Sequence, residues 1–274
     1  ESTIGGVVAG NVSGPRRIQA GACRDSLIGV RFVDGRGDIV KNGGRVMKNV
    51  TGYDLVKLLA GSWGTLGVIT EVSLKVLPAP EASATVLISG LDDVTAVAAM
   101  SAALGSPFDV TGAAHLPGQA TMVRVEGFAS SVTYRAERLR DLLAGFGAVE
   151  IDEGADWVGI RDVAPFSGRD GAVWRVSVKP SDGPGVAEVA RSCGGEAFFD
   201  WGGGLVWLLM PEEGEAGGGV IRDAVAKVGG YATLVRAAIR ANAFAPETGV
   251  AGMLVGRLRS EFDPKGILNP GIMY

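Results

Sequence analysis

The sequence is poor in the residues that build metal centres and disulfide frameworks. Its 274 residues contain two cysteines and one histidine. Cys23 and Cys193 lie far apart and form no C-x-x-C pair, so ligand count nearly excludes a zinc or iron–sulfur site within this chain. The same scarcity argues against a disulfide scaffold, and we expect two small buried thiols in a reduced, cytoplasmic protein.

Two further absences narrow the class of protein. No apolar run reaches the roughly 20 residues that a transmembrane helix needs. Lysine and arginine number 26 against 30 aspartate and glutamate residues, for a formal net charge of −4, so the chain lacks the basic footprint of a nucleic-acid-binding protein. Hydrophobic residues make up 47% of the chain, which suffices for a substantial core and an interface with a partner.

Glycine, by contrast, is abundant, with 43 residues, and it is concentrated in two motifs near the start. Residues 3–14 read T-I-G-G-x-V-x-x-N-x-x-G, and residues 61–72 read G-S-x-G-T-L-G-V-I-T-E-V. Glycines this close together let backbone N–H groups reach a phosphate or a planar ring without an intervening Cβ. Neither motif has the spacing of a Rossmann fingerprint, and no helix is predicted to open directly from either one.

The remaining pattern predicts two kinds of structure. Up to about Pro80 we expect strand, turn and strand over 26–40, a short helix over 54–60 and a strand over 68–76. Residues 84–151 and 172–235 then each show the order β-α-β-β-α-β, with a short helix over 157–163 between them. Two such halves side by side predict one antiparallel sheet with helices on one face. A final helix is predicted over 251–262.

A third motif, F-D-P-x-G-I-L-N-P-G at residues 262–271, completes a resemblance to the vanillyl-alcohol-oxidase, or PCMH-type, FAD flavoproteins. The resemblance implies an α+β fold with three parts. These are the second lobe of the FAD-binding domain over 1–80, a cap of two ferredoxin-like halves over 81–245, and a C-terminal helix and tail over 246–274 that returns to the lobe. Because the family has a further lobe, expected before Glu1, we expect this chain to be N-terminally truncated and to hold FAD weakly.

The resemblance also implies which residues contact FAD. They are Thr3, Ile4, Gly5, Gly6, Asn11, Gly14, Gly21, Gly64, Thr65, Gly67, Val68, Ile69 and Asn269. The first four would present backbone to the diphosphate or flavin, Val68 and Ile69 would face the adenine edge, and Asn269 would lie near the flavin. Any one of these glycines is more simply an ordinary turn residue, and only the joint pattern favours a cofactor site. Neither glycine motif contains histidine or cysteine, which argues against covalent flavin attachment there.

Two stretches narrow the resemblance further. Residues 44–55 and, more weakly, residues 111–117 are similar to the FAD-binding, E-type subunits of bacterial glycolate oxidases. In that family the subunit works with a larger catalytic flavin subunit and an iron–sulfur subunit, and the complex oxidises glycolate to glyoxylate. The resemblance therefore implies an FAD-dependent oxidoreductase in a cytoplasmic hetero-oligomer, peripheral at the inner membrane through its partners if at all.

Candidate catalytic residues are few. A single histidine cannot build the multi-histidine metal-and-base site expected in the catalytic relatives, and His115 is more simply a strand-end residue hydrogen-bonded to backbone. Arg124 and Glu126 share one face of a strand and could bind a carboxylate, as could Arg236 and Arg240, but salt bridges are the simpler interpretation. An aromatic group is expected in the sheet core or an interface: Phe198, Phe199, Trp201 and Trp207. No catalytic residue and no metal ligand is assigned.

Three hypotheses of function remain open at this point. The leading one is an accessory or electron-relaying FAD subunit, with the substrate chemistry in a partner. The second is a self-sufficient FAD-dependent dehydrogenase of another 2-hydroxy acid or alcohol. The third is a scaffold subunit that has kept the fold and lost the flavin.

Overall fold

A computed structural model describes residues 2–44, 52–213, 215–238 and 242–273. The chain divides into two compact units. The first unit comprises Glu1–Ser13, Gly21–Pro78 and Asn242–Tyr274, and the second comprises Gly14–Ala20 and Ala79–Ala241. This grouping differs from the predicted division mainly in the segment Gly14–Ala20, which belongs to the second unit although Gly14 is the last residue of the first glycine motif.

The described elements follow in chain order. The helices are α1 (Ile4–Ala9), α2 (Arg17–Ala20), α3 (Cys23–Ser26), α4 (Leu55–Leu59), α5 (Asp93–Leu104), α6 (Ala129–Leu143), α7 (Trp157–Arg161), α8 (Gly183–Ser192), α9 (Gly218–Val228) and α10 (Gly249–Phe262). The strands are β1 (Leu27–Val33), β2 (Ile39–Gly43), β3 (Val68–Leu74), β4 (Ala82–Ser89), β5 (Gly112–Leu116), β6 (Ala120–Gly127), β7 (Ala148–Asp152), β8 (Ala172–Ser177), β9 (Glu196–Asp200), β10 (Leu205–Met210) and β11 (Tyr231–Arg236).

The first unit contains an antiparallel sheet in the order β2-β1-β3. The predicted strands and the predicted helix α4 are confirmed, and Asp54 caps α4 by accepting a hydrogen bond from the Lys57 N–H at 3.2 Å. Phe32, Leu59 and Val8 lie fully buried in its core. Most of the stretch 44–55 used for the subfamily resemblance, namely residues 45–51, lies outside the described residues.

One expectation for the first unit is wrong. A helix, α1, does open inside the first glycine motif. Its start is fixed by Thr3, whose hydroxyl oxygen accepts a hydrogen bond from the Gly6 N–H at 3.0 Å. A threonine at this position satisfies one of the N–H groups that a helix start leaves without a partner. That local capping outweighs the low helix propensity of the paired glycines.

The second unit is built on an antiparallel sheet in the order β11-β8-β10-β9-β5-β6-β4-β7. Each half contributes four strands, and in each half the first strand lies between the fourth and the third, as in a ferredoxin-like unit. The halves meet where β5 pairs antiparallel with β9, at His115 and Phe199. The predicted antiparallel sheet of two ferredoxin-like halves is therefore confirmed, with helices where the pattern predicted them.

The two faces of this sheet differ in character. One face packs against α5, α6, α8 and α9 through two apolar clusters, in which Trp174, Phe199 and Val123 are fully buried. The other face carries a smaller apolar cluster around Phe198 and Trp157. This second face also bears charged side chains, among them Arg124.

The cysteines depart from the expectation of two buried thiols. Cys23 is half-buried, and burial raises the pKa of its thiol, whereas Cys193 is exposed at the end of α8. Both are free thiols. Within the part of the chain that the structure describes, no helix combines the length and apolar character needed to cross a bilayer.

Candidate cofactor site

A cavity of about 590 Å³ lies in the first unit, and residues from both glycine motifs and from the C-terminal tail line it. The lining residues are Thr3, Gly5, Gly6, Ala9, Gly10, Trp63, Gly64, Gly67, Val68, Ile69, Ile267, Leu268, Asn269 and Ile272. None of these fourteen described residues is charged, and five of them are glycine. The volume of the cavity is typical of pockets that hold small organic ligands and cofactors.

Helix α1 forms one wall of the cavity. The glycines of its first turn, Gly5 and Gly6, contribute only backbone atoms. A Cβ added to Gly6 would contact only the Thr3 hydroxyl within 4 Å, at 3.3 Å, so the protein itself would accommodate a side chain there with a small shift. Packing within the chain therefore gives little reason for glycine at this position, whereas close approach of a ligand to the backbone does.

The second glycine loop is tied to the other end of α1. The Gly61 N–H donates to the Val8 carbonyl at 3.2 Å, and the Trp63 N–H donates to the Ala9 carbonyl at 2.9 Å. Trp63 has a left-handed backbone conformation with φ of 53°. Its ring packs edge-on against Phe244, with ring centroids 5.2 Å apart. These contacts hold both glycine motifs against one another along one side of the cavity.

The C-terminal tail closes onto the same loop. The Asn269 side-chain amide donates a hydrogen bond to the Trp63 carbonyl at 2.7 Å. Asp263 shapes the tail, because its carboxylate accepts hydrogen bonds from the N–H groups of Ile267 at 3.1 Å and Leu268 at 2.7 Å. Gly64, with φ of +71°, must be glycine here, since a Cβ would lie 2.7 Å from the Asn269 amide nitrogen.

The structure brings eight of the thirteen residues implied by the resemblance to this cavity: Thr3, Gly5, Gly6, Gly64, Gly67, Val68, Ile69 and Asn269. Gly67 has an additional reason to be glycine. A Cβ at this position would lie 2.5 Å from the ring of buried Phe32, so the core requires its absence. Val68 and Ile69 begin strand β3, which fixes their backbone beside α1.

The other five implied residues lie outside the cavity lining. Ile4 is largely exposed, and Thr65 is buried with its hydroxyl donating to the Ser62 carbonyl at 2.7 Å. Asn11 accepts a hydrogen bond from the Arg24 N–H at 2.9 Å, which orders the loop after α1. Gly14 belongs to the second unit and packs against Arg161 there. Gly21 is a turn residue with a left-handed backbone conformation and lies beside Asp25.

Sequence reasoning missed six lining residues: Ala9, Gly10, Trp63, Ile267, Leu268 and Ile272. A signal existed for five of them, because Ala9 and Gly10 lie inside the first glycine motif and three more lie inside the other two motifs. Trp63 stands between Ser62 and Gly64 inside the second motif, and Ile267 and Leu268 directly precede Asn269 in the third. The left-handed conformation of Trp63, which aims its carbonyl at Asn269, is visible only in the structure.

His115 is a buried structural residue of the second unit. Its Nδ1 lies 2.9 Å from the Thr121 hydroxyl, and its Nε2 lies 3.4 Å from an Asp93 carboxylate oxygen, with Arg191 2.6 Å from the other oxygen. Burial opposes ionisation of Asp93, but the contacts with His115 and Arg191 outweigh it and hold the pKa of Asp93 below its ordinary value. The partners of His115 are therefore side chains, and the expectation of a backbone partner is wrong.

The arginines singled out in the sequence also have structural partners. Arg124 is buried, forms an ion pair with Glu126 at 3.2 Å and donates to the Thr111 carbonyl at 3.1 Å. Arg236 donates to the carbonyls of Phe166 and Arg169 at 3.0 and 2.7 Å. Arg240 lies outside the described residues. Among the described residues no cluster of histidine, cysteine, aspartate and glutamate is arranged to hold a metal ion.

The cavity fits the diphosphate-containing, planar-ringed group that the glycine motifs implied. Its walls offer backbone atoms from glycine and apolar surface from Val68, Ile69 and Ile267, with Thr3 and Asn269 as the polar side chains. Backbone N–H groups at a helix start bind phosphate, and apolar walls suit a flavin ring. The cavity and the ferredoxin-like sheet together define an FAD-binding flavoprotein of the PCMH type.

The comparisons with known proteins agree with that class and narrow it. An FAD binding domain family model matches residues 1–43. Glycolate oxidase subunit GlcE of Escherichia coli (strain K12) is 37% identical over a 278-residue alignment that covers the whole of this chain and 72% of that protein. The chain belongs to the GlcE family of FAD-binding oxidoreductase subunits.

Two further matches place the family among its relatives. Glycolate oxidase subunit GlcD of Bacillus subtilis (strain 168) is 46% identical over 86 residues, which are 31% of this chain and 18% of that protein. A solved structure of alkyldihydroxyacetonephosphate synthase superposes with a TM-score of 0.66 at 19% identity. That match covers 98% of this chain and 57% of the synthase chain, and it shows that the two share a fold.

Proposed function

We propose that this chain is the FAD-holding part of an accessory subunit in a glycolate oxidase complex, and that a partner flavin subunit carries out the substrate chemistry. In this proposal the first unit is the second lobe of the FAD-binding domain and the second unit is its cap. The partners are a catalytic flavin subunit and an iron–sulfur subunit. Any association with the inner membrane is peripheral and occurs through these partners.

The cavity lined by both glycine motifs and by Asn269 carries the FAD part of the proposal. Thr3 fixes the start of α1, Gly5 and Gly6 leave its backbone accessible, and Trp63 and Asn269 hold the second loop and the tail together. Val68 and Ile267 are exposed apolar residues of the lining that would contact bound FAD. FAD, when bound, would accept and pass on electrons.

The accessory role rests on the second unit. Oxidation of a 2-hydroxy acid needs a group that takes the hydroxyl proton, and histidine is the residue most often used for this. The one histidine of the chain is buried, with its Nδ1 2.9 Å from the Thr121 hydroxyl and its Nε2 3.4 Å from the Asp93 carboxylate. Without an available histidine base in this chain, the proposal places proton abstraction in the partner subunit.

The test is reduction of an artificial electron acceptor with glycolate, measured for each purified full-length subunit and for the reconstituted complex. We expect flavin absorbance in the full-length protein and turnover only in the complex. An isolated protein that oxidised glycolate as fast as the complex would instead establish a self-sufficient dehydrogenase. A full-length protein purified without flavin, in a complex that remained active, would establish a scaffold subunit.

A further inference from the structure

Two arginine side chains of the second unit converge on one tryptophan ring. The guanidinium carbon of Arg17 lies 4.2 Å from the centroid of the Trp201 ring, and that of Arg175 lies 5.1 Å from it. Trp201 is buried, and its indole N–H donates to the Gly14 carbonyl at 3.1 Å. This hydrogen bond ties the ring of Trp201, which lies in the 3₁₀ helix Trp201–Gly203 after β9, to the segment Gly14–Ala20.

Among the described residues, no carboxylate forms an ion pair with either guanidinium group. In the part of the chain that the structure describes, neither Arg17 nor Arg175 forms an ion pair or donates a side-chain hydrogen bond. Other arginines do, such as Arg16 with Glu126 at 3.0 Å and Arg191 with Asp93 at 2.6 Å. Burial and the like charge of Arg17 both lower the pKa of Arg175. A guanidinium nevertheless stays protonated in proteins, so the charge remains and is left uncompensated.

The surroundings leave a surplus of positive charge. Arg124 faces the carboxyl groups of Glu126 and Asp200, and Arg16 pairs with Glu126, whereas the charge that acts on Arg175 is that of Arg17. Burial raises the pKa of Asp200 to about 7. The hydrogen bond from the Trp201 N–H and the charge of Arg124 act in the opposite direction but are smaller effects. Neither carboxyl group is paired with Arg17 or Arg175, so these two guanidinium groups keep two positive charges.

The geometry points to a binding site for a small carboxylate anion at Arg17, Arg175 and Trp201, on the sheet face opposite α8 and α9. A guanidinium group matches the planar carboxylate with two parallel hydrogen bonds, and two such groups beside an aromatic ring suit a short organic acid.

This inference deepens the proposed function and rests on it for the choice of glycolate as the probe. The site makes the second unit a place where the substrate, or its product, is held by this subunit. In the proposed complex it would raise the local concentration of the acid beside the catalytic partner. A carboxylate side chain of a partner subunit offers the same chemistry, so the experiment separates the two sources.

The experiment follows the Trp201 ring directly. Full-length protein is labelled with 5-fluorotryptophan, and the Trp201 signal among the five tryptophans of this chain is assigned in the fluorine NMR spectrum with the variant Trp201→Phe. Glycolate and acetate should shift this signal in a saturable way, while ethylene glycol, the neutral analogue, should not. Inorganic phosphate should bind more weakly than glycolate.

Variants then assign the effect to the two cations. Arg175→Gln and Arg17→Gln should each weaken glycolate binding about tenfold or more, since a charge-assisted hydrogen bond is lost. Arg138→Gln is the matched control, because Arg138 lies 5.4 Å from the Tyr134 ring on the exposed surface of α6. Removing one of two like charges relieves repulsion, so circular dichroism should show that both test variants fold.

The outcomes separate this site from the proposed function. Ethylene glycol or phosphate acting as strongly as glycolate, or unchanged affinity in both arginine variants, overturns the site. Loss of the glycolate response when the partner subunits are added also overturns it, because a partner's carboxylate then occupies the arginines. If the complex oxidises glycolate while Trp201 never responds, only the site fails. A response of Trp201 without turnover in the complex leaves the site standing and removes the proposed function.

Discussion

Asn269 donates its side-chain amide to the carbonyl of Trp63 at 2.7 Å, across 206 positions of sequence. Both residues have left-handed backbone conformations, with φ of 44° and 53°. Such conformations are uncommon outside glycine and persist only where surrounding contacts hold them. The pair therefore joins two irregular segments, the second glycine loop and the C-terminal tail, at the edge of the proposed FAD cavity.

Removing this hydrogen bond should loosen FAD without unfolding the protein. We expect Asn269→Ala in the full-length protein to weaken FAD binding by about 2- to 10-fold, the worth of one net hydrogen bond. The measurement is the FAD dissociation constant from fluorescence titration of the apoprotein. Asn42→Ala is the control, because Asn42 also donates to a backbone carbonyl of the first unit, that of Tyr53 at 3.1 Å, but lies outside the cavity lining. Equal effects of the two variants would contradict a cavity-specific role of Asn269.

The two glycine motifs should respond differently to a bulky side chain. Gly6→Val should abolish FAD retention with little loss of fold, since a Cβ there contacts only Thr3 within the chain. Gly67→Val should lose both FAD retention and fold stability, because a Cβ at position 67 would overlap the ring of buried Phe32. Overpacking of this kind costs about 1–3 kcal/mol or more.

Flavin absorbance after gel filtration and the urea unfolding midpoint distinguish the two cases. Full flavin occupancy in a folded Gly6→Val protein would remove Gly6 from the cofactor site. A stable, flavin-free Gly67→Val protein would show that Gly67 serves the ligand more than the core.

Stability should fall with rising pH because of Asp200. Its pKa is raised from 3.8 to about 7 in the folded protein, so the folded state binds the proton more tightly than the unfolded chain does. Stability from this group is therefore greatest below pH 3.8 and decreases as the pH rises to about 7. Above pH 7 the folded protein carries the full cost of an ionised buried carboxylate.

Asp200→Asn removes this titration and keeps an oxygen that can accept the hydrogen bond from the Trp201 N–H at 2.7 Å. At pH 8 we expect the variant to be more stable than the parent, by on the order of 2–4 kcal/mol. At pH 5 the difference should be smaller. Urea unfolding at both pH values tests this expectation, and parallel pH profiles for the two proteins would contradict it.

His115 should matter for stability far more than for turnover. His115→Ala leaves the Thr121 hydroxyl without its side-chain partner and removes one of two partners of Asp93, which keeps Arg191, and this should cost about 1–3 kcal/mol. The activity of the assembled complex should fall by less than about 100-fold, the lower limit for removal of a general base. His115→Asn is the companion variant, since an amide can restore part of the hydrogen bonding. Complete loss of turnover in a folded His115→Ala complex would make His115 catalytic and remove the accessory role.

Periodicity and local signals in the sequence determined most of the architecture. Strand β1, turn and strand β2 followed from an apolar run broken by aspartate and glycine. Helix α4 followed from the apolar residues Leu55, Leu58 and Leu59 on one side and from Gly61 as its stop. The repeated order of elements predicted the antiparallel sheet of two halves, because each such unit buries one face of its strands under its own helices. The glycine clusters indicated where backbone approaches a ligand, and the resemblance of the three motifs to a flavoprotein family implied that this ligand is FAD.

Tertiary structure alone decided which glycines serve the cavity and which serve packing. A Cβ at Gly6 would contact only the Thr3 hydroxyl, whereas a Cβ at Gly67 would overlap the ring of Phe32, which is 35 positions away in the sequence. The local sequence does not distinguish these two cases. Tertiary structure also decided which side chains lie beside a charged residue. Arg124 and Arg175 are both arginines on strands of one sheet, yet Arg124 has Glu126 as a partner while Arg175 faces Trp201 and Arg17. The Arg124–Glu126 pair follows from their alternation on one strand, as the sequence predicted. The contact of Arg175 with Trp201 and Arg17 instead depends on side chains that the fold and the segment Gly14–Ala20 bring together, and sequence spacing does not encode that distance.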